Sequence, residues 1–239
     1  WNHVVITTDT PINTEINKFF IGKSNFIDNS VTKEEYILGQ LSDIKIYQER
    51  LDSNEIKLLY ESLDIEIPIK SVEIDNNVNI TSLNINNNID SDYLRPIAYW
   101  KFNKVNDING PQDISGNGYH ISSFGIKGFN LNTVNYTRGK DNIDNDAINF
   151  GGSSSGEYLE IFNIDYKYNT IYDIKSISIW FNAISDDTET SEILNNQTIL
   201  NFNSEQSLII DTNNNIVFND TNSDYYNNYS KYNCLTAEY

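Results

Sequence analysis

Residues 41 to 47 (LSDIKIY) alternate strictly, which places Leu41, Asp43, Lys45 and Tyr47 on one side of an extended chain and Ser42, Ile44 and Ile46 on the other. This is the pattern of a strand half-buried in a sheet, and it recurs in short runs along the chain. Residues 2 to 8 (NHVVITT) and 18 to 22 (KFFIG) are β-rich and flank a polar turn at Pro11, which predicts a hairpin. After Pro96 the pattern restarts with an aromatic strand over 97–103. Further strands follow at 147–152, 157–162, 174–183, 198–203, 207–211 and 215–219. Many short strands, turn signals between them and one convincing helix predict an all-β antiparallel sandwich.

The helix lies just beyond residue 50. Asp52 can cap it with Glu55 at the third helical position, Leu51 and Ile56 can close a hydrophobic staple, and Ile56, Leu59, Tyr60 and Leu63 share one apolar face. From Asp64 to Pro96 the composition shifts to Asn, Asp and Ile with few aromatics. The expected organisation is therefore 1–67 as one structural part, 68–96 as an Asn-rich linker with short extended segments, and 97–239 as a second part.

With 34 acidic against 16 basic residues the net charge is -18, which repels phosphate backbones and anionic membranes and argues against a nucleic-acid partner. A single cysteine, Cys234, excludes a disulfide within the chain. No apolar run approaches the roughly 18 residues of a membrane span, so direct insertion is not expected. The chain begins with Trp1 and contains no methionine, so a targeting segment is expected upstream, if one exists. Asparagine is about one residue in six, and at that content about six N-glycosylation sequons arise by chance. The five present, at Asn79, Asn135, Asn196, Asn219 and Asn228, are no evidence of glycosylation.

Enzymatic patterns fare poorly, and the expectation is a non-catalytic protein. The two histidines, His3 and His120, have no metal-ligand spacing around them, and there is neither a GxSxG elbow nor a phosphate-cradling glycine loop. The RLDSNE segment at 50–55 has arginine where a glycosidase strand would need its first carboxylate, and it reads better as the helix cap. Trp100 and Trp180 sit in apolar strands and are expected in the core. Tyr225, Tyr226, Tyr229 and Tyr232, interleaved with Asn227 and Asn228, offer an aromatic platform with amides of the kind that binds sugars.

Several motifs resemble a known family. WNHVVITT (1–8), FIGK (20–23), GQLSDIKIY (39–47) and LDSNEIKLLY (51–60) resemble, in order, the C-terminal half of a laminin-G-like, concanavalin A-like jelly roll. IAYWKF (97–102), DISGNG (113–118), AINFGG (147–152), YLEI (158–161) and ISIW (177–180) resemble its N-terminal half. The halves stand in reversed order. LTAEY (235–239) followed by WNHVVITT would read as one continuous strand, as in a slice from a tandem array. A circular permutant or an exchange of halves between chains also fits. The resemblance implies a calcium ion between the first strand with its following turn and the last strand, with Asp113, Asn117 and Asp43 as ligands. It further implies an adhesive or carbohydrate-binding module of a large extracellular or cell-surface protein with repeated domains, its partners a glycan, a surface protein or neighbouring repeats. The alternative is a structural repeat or subunit of a fibre, sheath or virion surface appendage.

Overall fold

The structure is a computed structural model, and it describes residues 1–12, 18–28, 31–61, 95–105, 107, 110–122, 125–129, 134–162, 171, 173–184, 196–202, 206–213, 215–220 and 233–238. The linker segment 68–94 lies outside the described residues. In chain order the elements are β1 (Asn2–Ile12), β2 (Lys18–Ile21), β3 (Lys23–Asp28), β4 (Val31–Tyr36), β5 (Leu38–Tyr47), α1 (Ser53–Glu61), β6 (Ala98–Trp100), β7 (Ile126–Lys127), β8 (Tyr136–Thr137) and β9 (Ala147–Gly151). They continue as β10 (Tyr158–Phe162), β11 (Ile174–Ala183), β12 (Gln197–Asn201), β13 (Gln206–Ile210), β14 (Ile216–Asp220) and β15 (Asn233–Glu238).

These strands form an antiparallel β-sandwich. One sheet runs β15-β1-β11-β5-β9-β8, with β6 also beside β5; the other runs β14-β13-β12-β2-β10-β7. Alternation sends every second residue inward. Val4 and Ile6 of β1, Ile44 and Ile46 of β5 and Ile177 and Ile179 of β11 meet Phe19 and Ile21 of β2, Leu159 and Ile161 of β10 and Leu208 and Ile210 of β13 in one buried cluster. Trp100 lies at its centre, fully buried, with its ring 6.1 Å from that of Phe19 and its indole N–H donating to Tyr119 O at 2.8 Å. The segments on either side of the linker thus complete each other within one chain. Residues before 62 supply β1 and β5 to one sheet and β2 to the other.

Two sequence expectations are corrected. First, β1 and β2 are not a hairpin: β1 pairs with β11 and β15 in one sheet, β2 with β10 and β12 in the other, so the chain crosses between layers near Pro11. At the chain ends β15 lies antiparallel beside β1, with Asn2 opposite Glu238. Second, LSDIKIY is not a simple alternation. Lys45 opposes Ser178 but Ser42 opposes Trp180, so Asp43 and Ile44 together face Ile179 in a bulge. Asp43 adopts a left-handed φ of 48°, and Leu41 joins Ile44 and Ile46 in the core while Asp43 and Lys45 face outward.

The helix forms over Ser53–Glu61 with the predicted cap, while Leu63 of the predicted apolar face lies outside the described residues. Asp52 Oδ1 accepts from the N–H groups of Asn54 and Glu55 at 2.7 and 2.9 Å, and Glu55 Oε2 accepts from Asp52 N–H at 2.6 Å. Ile56 and Leu59 then pack on Val5, Tyr47 and Leu51, so α1 covers part of the outer face of the seven-stranded sheet.

Removing the central ring tests this core. Trp100→Ala should destabilise the fold by about 3 to 5 kcal/mol, read as a lower urea midpoint with the slope unchanged.

Candidate functional site

The outward face of the six-stranded sheet carries a cluster of aromatic rings around a buried lysine. In β2 and β10 the inward residues are Phe19, Ile21, Leu159 and Ile161, which leaves Phe20, Tyr158 and Glu160 on the opposite face. Phe20 lies opposite Glu160 on one side and Asn201 of β12 on the other. Gly22, at φ +86°, then turns the chain from β2 into the β3–β4 hairpin; a Cβ there would meet the Phe150 ring at 2.9 Å. The hairpin register sets Lys23 opposite Tyr36.

Lys23 is the hub. Its ammonium sits 4.5 Å from the Tyr158 ring centre and 5.4 Å from that of Tyr36, and it donates to Glu34 at 2.8 Å. The Tyr36 hydroxyl donates to the other Glu34 oxygen at 2.6 Å. These two bonds, Lys23 first, hold the Glu34 carboxyl below its usual range. Burial and then Glu34 push the Tyr36 phenol up to about 12, and burial raises that of Tyr158, so both hydroxyls stay protonated near neutrality. The rings of Phe20 and Tyr158 meet edge to face at 6.0 Å, and those of Tyr36 and Tyr158 lie 6.3 Å apart. All three are only partly buried. Chemically this is a set of apolar ring faces bordered by a fixed ion pair, suited to stacking and hydrogen bonding.

Of the sequence-predicted ligands, the structure describes Asp43, Asp113 and Asn117. Tyr225, Tyr226 and Tyr229 lie outside the described residues. Asp113 and Asn117 share the DISGNG turn, where the protein's own donors engage both Asp113 oxygens. Oδ1 accepts from Tyr99 N–H and Ser115 N–H, each at 2.9 Å, and Oδ2 accepts from the Ser115 hydroxyl at 2.9 Å and Tyr119 N–H at 3.0 Å. Asn117 donates its amide to Ile97 O. Asp43 is engaged at the far end of the Tyr99 side chain, its Oδ1 accepting from the Tyr99 hydroxyl at 2.7 Å. Among the described residues no group of three His, Cys, Asp or Glu side chains converges as a metal site. His120 Nδ1 accepts from Asp113 N–H and braces the same turn.

The outer face of the seven-stranded sheet carries a second aromatic stack, whose His3 and Trp180 are buried. His3, Trp180 and Tyr60 stack, with His3 4.7 Å from Trp180 and Tyr60 5.8 Å from Trp180, and His3 Nε2 shares a 2.8 Å hydrogen bond with Ser178 Oγ. Trp180 is therefore buried as expected, yet outside the inter-sheet core. Burial, then Lys45 and Lys140, lower the His3 pKa to about 4. Elsewhere Asp107 accepts from Gln112 N–H at 2.9 Å and the Tyr136 hydroxyl at 2.8 Å, and burial raises it to about 6.

The patch of Phe20, Lys23, Glu34, Tyr36 and Tyr158 was not singled out from the sequence. Period two in KFFIG and EYLEI sets Phe20 and Tyr158 outward, but their meeting with Lys23 depends on the hairpin. Compared with family models, curated proteins and solved structures, the chain has no match.

Two measurements follow from these groups. Between pH 6.5 and 4 the unfolded chain binds a proton at His3 that the folded chain refuses, so stability falls by roughly 3 kcal/mol on acidification. Between pH 6 and 3.8 the folded chain binds a proton at Asp107 that the unfolded chain does not, so stability rises by a similar amount. The two effects oppose each other. His3→Gln should unmask a gain in stability on acidification and Asp107→Asn a loss, read by urea titrations from pH 7 to 4. Separately, Asp113→Ala should destabilise by about 2 to 4 kcal/mol, equally in calcium and in chelator. A loss seen only in calcium would assign the turn to a cation.

Proposed function

We propose that this chain is a laminin-G-like, non-catalytic binding module of a larger extracellular or surface protein, and that the rings of Phe20, Tyr36 and Tyr158 receive a glycan. The observation that carries the reading is this partly exposed aromatic cluster, fixed at one end by the Lys23–Glu34 pair, on the outside of a sheet whose inner face is fully engaged. Sugar rings present apolar C–H faces that stack on aromatics and hydroxyls that bond to charged and amide groups at the border. The net charge of -18 disfavours anionic glycans, so a neutral one fits best. Closure of the sandwich by the chain's own segments supports a self-contained module over a subunit completed by exchange with a neighbour.

Screening the full chain against neutral glycans should reveal saturable binding, and Tyr158→Ala should weaken it about tenfold or more, with the far-ultraviolet dichroism unchanged. Absence of binding to any neutral glycan sinks the proposal. Loss of binding in Tyr225→Ala or Tyr229→Ala, with Tyr158→Ala unaffected, moves the site to the 225–229 segment.

A further inference from the structure

Asp43 and Lys140 meet on the outward side of the seven-stranded sheet with their side chains only 3 and 8% exposed. Lys140 Nζ lies 3.4 Å from Asp43 Oδ2, in ion-pair contact with the carboxyl group whose carbon is Cγ, yet Oδ2 accepts no hydrogen bond among the described residues. The other oxygen, Oδ1, accepts from the Tyr99 hydroxyl at 2.7 Å. A second carboxylate, Asp141 Oδ2, contacts the same ammonium at 2.5 Å. The Trp180 ring, 5.3 Å from Nζ, forms part of the wall. Asp43 is held at φ 48° in the bulge, between β11 on one side and the start of the β6 pairing on the other.

We propose that Lys140 Nζ and Asp43 Cγ condense into an intramolecular isopeptide bond. Asp141 relays one proton from the ammonium to Asp43 Oδ2, so that a neutral amine faces a neutral carboxyl group, and the freed Nζ lone pair attacks Cγ. The carbonyl electron pair moves onto Oδ1, where the Tyr99 hydroxyl stabilises it as a preorganised donor. Asp141 then moves a second proton from Nζ to the Oδ2 hydroxyl, which leaves as water while the C=O re-forms. One ammonium and one carboxylate become one amide and one water. No electron is transferred to an outside acceptor, Asp141 ends as it began, and no co-reactant is needed. The fold supplies the proximity that makes the step unimolecular, and burial keeps water from the product. The bond joins β5, before the linker, to the loop after β8, beyond it.

The test is the intact mass of the full folded chain. The expected value lies below the sequence mass by one water, and protease digestion releases a branched peptide joining the fragments that hold Asp43 and Lys140. Lys140→Arg should keep the full sequence mass, and Asp141→Ala should form the bond slowly or not at all. Formation at the wild-type rate in Asp141→Ala removes that residue from the step. A wild-type chain that retains its full mass after prolonged incubation in the folded state overturns the proposal, and so does a water deficit mapping to another site, such as a cyclic imide at Asp141. The decisive readout is on the wild type, so poor folding of a variant leaves it intact.

Discussion

The bulge in β5 is the constraint on which the sandwich turns. β9 pairs with Leu38–Leu41 and β6 with Ile44–Ile46, so two short neighbours share one edge of β5 while β11 lines the other. Uninterrupted alternation would set Leu41 on the face opposite Ile44 and Ile46. The extra residue restores the phase, and Leu41, Ile44 and Ile46 all reach the core fully buried. Each such side chain is worth about 1.5 to 3 kcal/mol when buried, so the three together outweigh the cost of one residue in the left-handed region, about 1 to 3 kcal/mol. The same device aims Asp43 outward, where it meets Tyr99 and Lys140.

Local features were legible in the sequence, and pairings between distant segments were not. The cap on α1 involves residues within four positions of one another, so Asp52 and Glu55 declare it directly. Strands such as β5 and β11 declared themselves by period two, whereas β3, β4, β7 and β8 were not legible in this way. The bulge did not show, because LSDIKIY alternates perfectly by itself and only its register against β11 shows two residues opposing one. Likewise Pro11, which lies within β1, does not tell whether the next strand stays in the same sheet. Asp113 was rightly placed in a turn, but which donors saturate it depends on Tyr99 and Tyr119, neither of which a motif of six residues contains.

The two outer faces show how a strongly acidic chain uses its few cations. Lys23, Lys45 and Lys140 each place an ammonium over an aromatic ring, on Tyr158, Tyr99 and Trp180 respectively. The aliphatic stems of such lysines cover apolar surface while the charge keeps a partner. On the six-stranded side the arrangement stays partly open, and the rings remain available. On the seven-stranded side α1 and the loop after β8 accompany a buried arrangement, in which a misplaced charge is costly.

That burial bears on what Lys140 and Asp43 contribute. As ions, they must offset the loss of hydration, and buried pairs of this kind often add little net stability. As an amide, they carry no charge, and the desolvation cost of both groups disappears. The link would close a loop from residue 43 to residue 140 that contains the whole linker. In the chain-entropy model, closing a loop of about 100 residues restricts the unfolded state by about 4.7 kcal/mol. A chain whose single cysteine cannot form an internal disulfide, and whose sandwich is assembled from segments on both sides of a long Asn-rich stretch, has most to gain from a covalent tie at that point.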